Sequence, residues 1–416
     1  MKHVLLKSLL LLLVSYFSYA QVEIEVVPSF NIKSIAFIQN GQNTIPLFGL
    51  NENFQIQFDD LYGNEANYYY EIVHCNYDWS PSELSKNEYL GGFDGIRIQD
   101  YTNSFNTLQI YSHYKLSLPN KNTRFMISGN YMLHILNEEK EIVFSRKFML
   151  TENLATVPMV IKRARTMEAV NTKQNLDFTI KSAAIMFQSP LQNVKIVLMQ
   201  NGQINSTITD IKPMYTIGND LIYKYDKETQ FWGGNEFLYF ENKDAKAKTN
   251  NVGFVDLSGG IYNTHLYTNY PRGKSPYTYY PDVNGNFVPN RINAEKSEIE
   301  SDYTWVFFSI NAPLYDNKDI YINGMFNNYA LAPENKMEYN EAKGIYEKAL
   351  IIKQGFTNYQ YVLTDKSGKI DYENAVDGNF YQTENNYFVI VYYRENGKRY
   401  DRIIGKGVAS SSDITN

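Results

Sequence analysis

Cysteine is almost absent from this chain: Cys75 stands alone among 416 residues, which excludes an internal disulfide. A chain of this length buries enough apolar surface to fold without such staples. Positive charge is also scarce. The 39 Lys and Arg are scattered and outnumbered by 45 Asp and Glu, so no basic stripe is available for phosphate. Nucleic acid is therefore not expected as a partner, and anionic membrane surfaces are disfavoured for the same reason. A run long enough to span a bilayer is missing too. The apolar stretch from Leu9 to Val14, flanked by Lys2 and Lys7 and followed by Ser18-Tyr19-Ala20, reads as a cleaved secretory signal over residues 1–20. No cysteine follows the cleavage point to carry a lipid, so a released periplasmic protein without a direct lipid anchor is expected. Its formal charge falls from −6 to about −8 with the loss of both lysines.

Catalytic signatures are lacking as well. There is no Gly-x-Ser-x-Gly elbow, no phosphate-binding glycine loop and no carboxylate pair set apart by its surroundings. His74 and Cys75 are adjacent in a strand-like run, where successive side chains point to opposite faces and cannot form a nucleophile–base pair. His74, His113 and His134 have no zinc-site spacing among them and read as structural. Asp282-Val283-Asn284-Gly285-Asn286 and Asp365-Lys366-Ser367-Gly368 begin like calcium loops but never reach a bidentate Glu, so both read as turns. The expectation is a protein that is not an enzyme, with no catalytic, cofactor-binding or metal residues.

What the chain does have is aromatic surface: 36 Tyr and 24 Phe favour strands over helices. Asn40-Gly41, Asn201-Gly202 and Asn396-Gly397 lie between alternating segments and predict two-residue hairpins. Tyr131 to Leu136 and Ile142 to Phe144 predict paired strands with apolar residues on both faces. One short helix is expected around Pro81 to Leu84, capped by Ser80. The fold class is all-β: two to three tandem β-sandwich domains of immunoglobulin-like or early-set type after the signal peptide. Their expected bounds are 21–150, 160–293 and 302–405, with a flexible tail over 406–416. Thr151 to Pro158 reads as a linker, and the charged stretch Ala294 to Ser301 as a connector.

The segment from Tyr262 to Pro289 concentrates binding chemistry. Tyr267, Tyr270, Tyr277, Tyr279 and Tyr280 alternate there with Arg272, Lys274 and four prolines, and Tyr and Arg are common interface anchors. These seven residues are the candidate partner-binding set; a loop folded over its own domain is the other reading.

Several strings together resemble one family. They are His74-Cys75-Asn76-Tyr77-Asp78-Trp79 with Ser80-Pro81-Ser82, Ser104-Phe105-Asn106-Thr107, Tyr111-Ser112-His113-Tyr114, Ser128-Gly129-Asn130-Tyr131 and Gly233-Gly234-Asn235-Glu236-Phe237. The chain resembles the type IX secretion system plug protein family. That resemblance implies a periplasmic, non-enzymatic protein that caps the outer-membrane translocon barrel while no cargo passes. Leu238 departs from the family pattern, which often carries an arginine after the Gly-Gly-Asn-Glu-Phe string. A second likeness, at Tyr321 to Tyr329, is to the early-set sandwich of glycogen-binding modules. It raises a periplasmic carbohydrate-binding protein as the alternative, although Tyr329 replaces the usual sugar-stacking Trp.

Overall fold

The computed structural model describes residues 22–414, so the expected signal peptide lies outside the described residues. Three β-sandwiches follow one another in space, each around its own apolar cluster. The first cluster runs from Ile32 to Leu150. In the strand Phe54–Asp60 the alternation Phe-Gln-Ile-Gln-Phe buries Phe54, Ile56 and Phe58 and turns Gln55 and Gln57 outward. Phe48 and Phe54 stack face to face at 4.1 Å in the centre of that cluster.

The strands Gly129–Leu136 and Ile142–Thr151 pair antiparallel as the sequence predicts. Part of their second apolar face is covered by the next sandwich. Leu47 and Met149 on the outside of the first sandwich pack against Val197, Met199, Ile390, Tyr392 and Ile403 of the second.

The second sandwich is discontinuous in sequence. One sheet joins Ala155–Thr156, Arg402–Ser410, Asn386–Tyr393 and Val194–Gln200, and the other is built on Lys173–Ile180. Between Trp232 and Asn386 the chain leaves to build the third sandwich, clustered around Phe240, Val306, Ile322 and Leu363. The expected division at 160–293 and 302–405 is therefore corrected. Leu238–Glu241, Val252–Ser258 and Ile261–Leu266 belong to the third body, while Asn386–Tyr393 and Arg402–Ser410 return to the second. Residues 406–410 of the expected tail are paired strand. Alternation identifies a strand but not its partner, and the pairing of Val194–Gln200 with Asn386–Tyr393 spans nearly half the chain.

Local turn chemistry is borne out at one hairpin and modified at two. Asn40 and Gly41 take φ of +52° and +77° between paired Gln39 and Gln42. Asn201 and Gly202 also have positive φ, yet no strand follows directly: the chain returns to Leu198 only as a single bridge at Ile208, while the Asn201 side chain donates to Asn385 and accepts from the Asn386 N–H. Asn396-Gly397 lies in a longer connection, turned where Lys398 donates its N–H to the Glu395 carbonyl. The expected helix moves along the chain: Pro81 bridges Cys75, and the single turn Lys86–Tyr89 follows Ser85, whose N–H donates to Glu88. Ala294 to Ser301 contains the turn Ser297–Glu300, which lies against the first sandwich.

Candidate docking surface and the joints behind it

Residues 267–286 connect Ile261–Leu266 to Phe287–Pro289 and carry the candidate set. Asn269 anchors the start of this loop. Its N–H donates to the Ser309 carbonyl, and its side-chain oxygen accepts from Tyr359 at 2.9 Å and Tyr361 at 2.7 Å. Arg272 points inward, to the Asp377 carboxylate at 2.9 Å and the Glu236 carbonyl at 2.8 Å. At Gly273 the backbone meets Gly378 so closely that a Cβ on Gly378 would sit 2.6 Å from the Gly273 Cα. Tyr277 also turns in, donating to the Glu236 carboxylate and to the Gln382 carbonyl. Asp282 closes the loop by accepting from the Phe237 and Asn284 N–H groups.

The candidate set thus divides. Arg272 and Tyr277 are clamps, and Tyr267, Tyr270, Lys274, Tyr279 and Tyr280 face solvent. Tyr279 still donates its hydroxyl to Glu384 at 3.2 Å, leaving its ring as the exposed part. Beside them lies a patch that the sequence reading missed. The edge strand Val252–Ser258 presents Phe254, half exposed, stacked on His265 at 3.9 Å, which stacks on Phe307 at 4.4 Å. The Tyr267 ring covers Gly253 of the same strand. Alternation in Phe254, Asp256 and Ser258 was legible, but its outward phase depends on which sheet the strand joins.

Glu236 sits beneath this loop with 1% of its surface exposed, one carboxylate oxygen taken by Tyr277 and the Glu384 N–H and the other without a partner. Burial pushes its carboxyl up to about 7, and nearby Asp282 and Glu384 add to the rise, against the hydrogen bonds it accepts. A raised carboxyl stabilises the fold fully below its ordinary value of 4.5, and that contribution is lost as pH climbs through about 7. Glu236→Gln should therefore flatten stability across that window and exceed the wild type at pH 8 by on the order of 2 kcal/mol. Parallel denaturation curves at pH 5 and 8 with an unchanged difference between the two proteins would reject this.

The weighed pair is closed off from solvent. His74 and Cys75 are both buried; burial lowers the imidazole to about 4 and raises the thiol to about 12. His74 bonds Ser82 and the Ser128 carbonyl, while His113 bonds Asp59 at 2.6 Å. Among the described residues no three His, Cys, Asp or Glu side chains gather as a metal site. Tyr329, at the sugar-stacking position of the glycogen modules, donates to the Asn284 carbonyl. Leu238 pairs with Tyr359 and packs on the third cluster, an apolar place that needs no arginine.

The family-like strings have a shared position: they are the joints between sandwiches. Asn76 accepts from Arg394, and the Tyr77 N–H donates to Asp401, tying the first body to the second. Asn130 accepts from Tyr392 at 2.7 Å in the same joint. Phe105 and Asn106 bond Ile299 and Arg291, and the Tyr111 hydroxyl donates to the Ser301 carbonyl, tying the first body to the third. Gly233 to Phe237 is the crossing from second to third. The bonded partners in these joints lie 185 or more residues apart in sequence, so the strings are legible as motifs while their role is not.

Two comparisons bear on identity. The family model described as type 9 secretion system plug protein 1st domain matches residues 32–152. A hypothetical protein from Parabacteroides merdae, solved by crystallography, is similar over 94% of this chain and 100% of its own, at 33% identity and TM-score 0.90. No curated protein matches the chain.

Proposed function

Because the chain belongs to the type IX secretion system plug protein family, we propose that it is a non-enzymatic periplasmic protein that seals the periplasmic end of the translocon barrel while the channel is idle. The match of residues 32–152 to the plug domain carries this reading. A seal must be stiff and must bind over a broad area. Stiffness is supported by the polar and apolar joints that lock the three sandwiches together. Binding area is supported by the exposed rings of Tyr267, Tyr270, Tyr279 and Tyr280, of which that of Tyr267 lies against the strand that presents Phe254. Among the described residues no helix is long and apolar enough to cross a membrane.

The test is affinity purification of the tagged protein from solubilised outer membranes, with co-purifying chains identified by mass spectrometry. A very large barrel should be recovered, and Tyr267→Ala with Tyr270→Ala should lower its yield about tenfold, as loss of two interface anchors does. Absence of any barrel in the wild-type eluate would overturn the proposal; full recovery with the double variant would remove the loop from the interface.

A further inference from the structure

Arg146 departs from the charge pairing seen elsewhere in the molecule. It lies on Ile142–Thr151 between Phe144 and Phe148 of the first cluster, and only 6% of its surface is exposed. Asp59, Asp377 and Asp401, equally deep, each have a cationic partner. Arg146 has no carboxylate within ion-pair distance among the described residues. Its one protein hydrogen bond runs from Nη1 to the Ser145 carbonyl at 2.8 Å, and its guanidinium lies 5.5 Å from the Phe144 ring centre. Glu25 is its nearest acidic influence, yet both Glu25 oxygens are committed, to the Lys147 N–H at 2.7 Å and the Asn328 amide at 2.6 Å.

The Arg146 side chain borders open space on two sides. Arg146, with Ile35 and Ala330, forms the wall between a small cavity of about 90 Å³ and a cleft of about 760 Å³ where all three sandwiches meet. A register break between Lys33 and Ala36, with Ser34 at φ +51°, shapes the wall at Ile35. Elsewhere the cleft is lined by uncharged amides drawn from each body, among them Asn43, Gln203, Asn205, Asn323, Gln360 and Asn379. Its remaining charges are Lys147 and Lys369, together with Glu25 and Asp371, and Asp371 is already paired with Lys318 at 2.6 Å.

A buried guanidinium is retained at a cost unless something pairs with it, and its planar fork matches a carboxylate. Asn43, Gln360 and Asn379 each donate within the protein, to the Phe287 carbonyl, to Asn323 and to the Tyr372 carbonyl; the donors and acceptors that the cleft amides keep beyond these bonds are the complement of a peptide backbone. The volume is that of a small-ligand site. We infer that the three-body cleft binds the carboxylate end of a short peptide, with Arg146 as its anchor and the wall amides along its backbone. This goes beyond the plug reading and does not depend on it.

Titration calorimetry on the mature chain tests it with four probes: tri-alanine, tri-alanine amide, sodium acetate and inorganic phosphate. Tri-alanine should bind at least tenfold more tightly than its amide and than acetate, the first difference reporting the carboxylate and the second the backbone contacts. Arg146→Met should weaken tri-alanine at least tenfold while unfolding at the same or a higher temperature, because an unpaired buried charge has gone. If Arg146→Met does not fold, Arg146→Lys, which keeps charge without the fork, should show an intermediate loss. Equal binding of acid and amide, tighter binding of phosphate, unchanged binding by a folded Arg146 variant, or no heat from millimolar tri-alanine would each overturn the inference. Barrel recovery by Arg146→Met reports separately on the plug reading.

Discussion

Asp59→Asn is expected to destabilise the protein by about 3–5 kcal/mol, the cost of leaving a buried charge without its partner. Asp59 is fully buried at the joint of the first and third sandwiches. It accepts from His113 Nδ1, the Tyr303 hydroxyl and Lys353 Nζ, each at 2.6 Å, and Ser34 in turn donates to Tyr303. Burial alone would raise its carboxyl; the ammonium of Lys353 and the imidazole of His113 outweigh it and hold the group below its ordinary range. Lys353 is itself 4% exposed, lies 4.3 Å from the Tyr111 ring centre and also donates to the Glu298 carbonyl. In Asp59→Asn that ammonium has lost the one carboxylate within ion-pair distance among the described residues. Adding Lys353→Met removes the orphan charge, so the double variant should recover at least about 1 kcal/mol of the loss predicted by summing the single variants. Denaturant midpoints for the four proteins supply the cycle; single-variant losses that simply add would show that the pair does not act as a unit. Because the Asp59 carboxyl is depressed, its contribution is full above 3.8 and fades as pH falls through its lower folded value.

Gly233→Ala should be nearly as severe, and Gly234→Ala mild, although the two glycines are neighbours in one string. A Cβ on Gly233 would lie 2.1 Å from the Phe380 carbonyl oxygen and 3.3 Å from that of Thr172, both backbone atoms with little room to yield. Gly233 also donates its N–H to Thr172 and accepts from the buried Asn385 amide. The substitution must part the strand leaving the second sandwich from the segment returning to it. Overpacking of this kind costs about 3 kcal/mol. Gly234 has φ +64° and nothing within 4 Å of a built Cβ, so only the left-handed backbone resists alanine, at about 1 kcal/mol. The thermal midpoint of Gly233→Ala should fall by roughly three times that of Gly234→Ala. Equal shifts would mean that backbone conformation, not the close approach of the two segments, decides this crossing.

Much of the fold was written locally. Phe54, Ile56 and Phe58 alternate with glutamines, Asn40-Gly41 turns a hairpin, and Tyr387 to Tyr393 reads as a strand, because side-chain period and turn φ are properties of neighbours along the chain. The candidate loop was found by composition, and five of its seven residues are exposed. Its clamps, Arg272 and Tyr277, could not be told from the exposed tyrosines, since their partners Asp377 and Gln382 lie more than 100 residues further on.

By itself, then, the sequence determined an all-β chain with a single cysteine and no basic stripe, and its strings identified the family. Only the tertiary structure decided that the second sandwich closes around an inserted third, that the family strings are joints, and that Arg146, with no ion-pair partner among the described residues, lies on the wall of a shared cleft. The reason is physical. A strand's period is fixed by its own backbone, but its partner, the outward phase of its side chains and the fate of a buried charge depend on surfaces brought from hundreds of residues away.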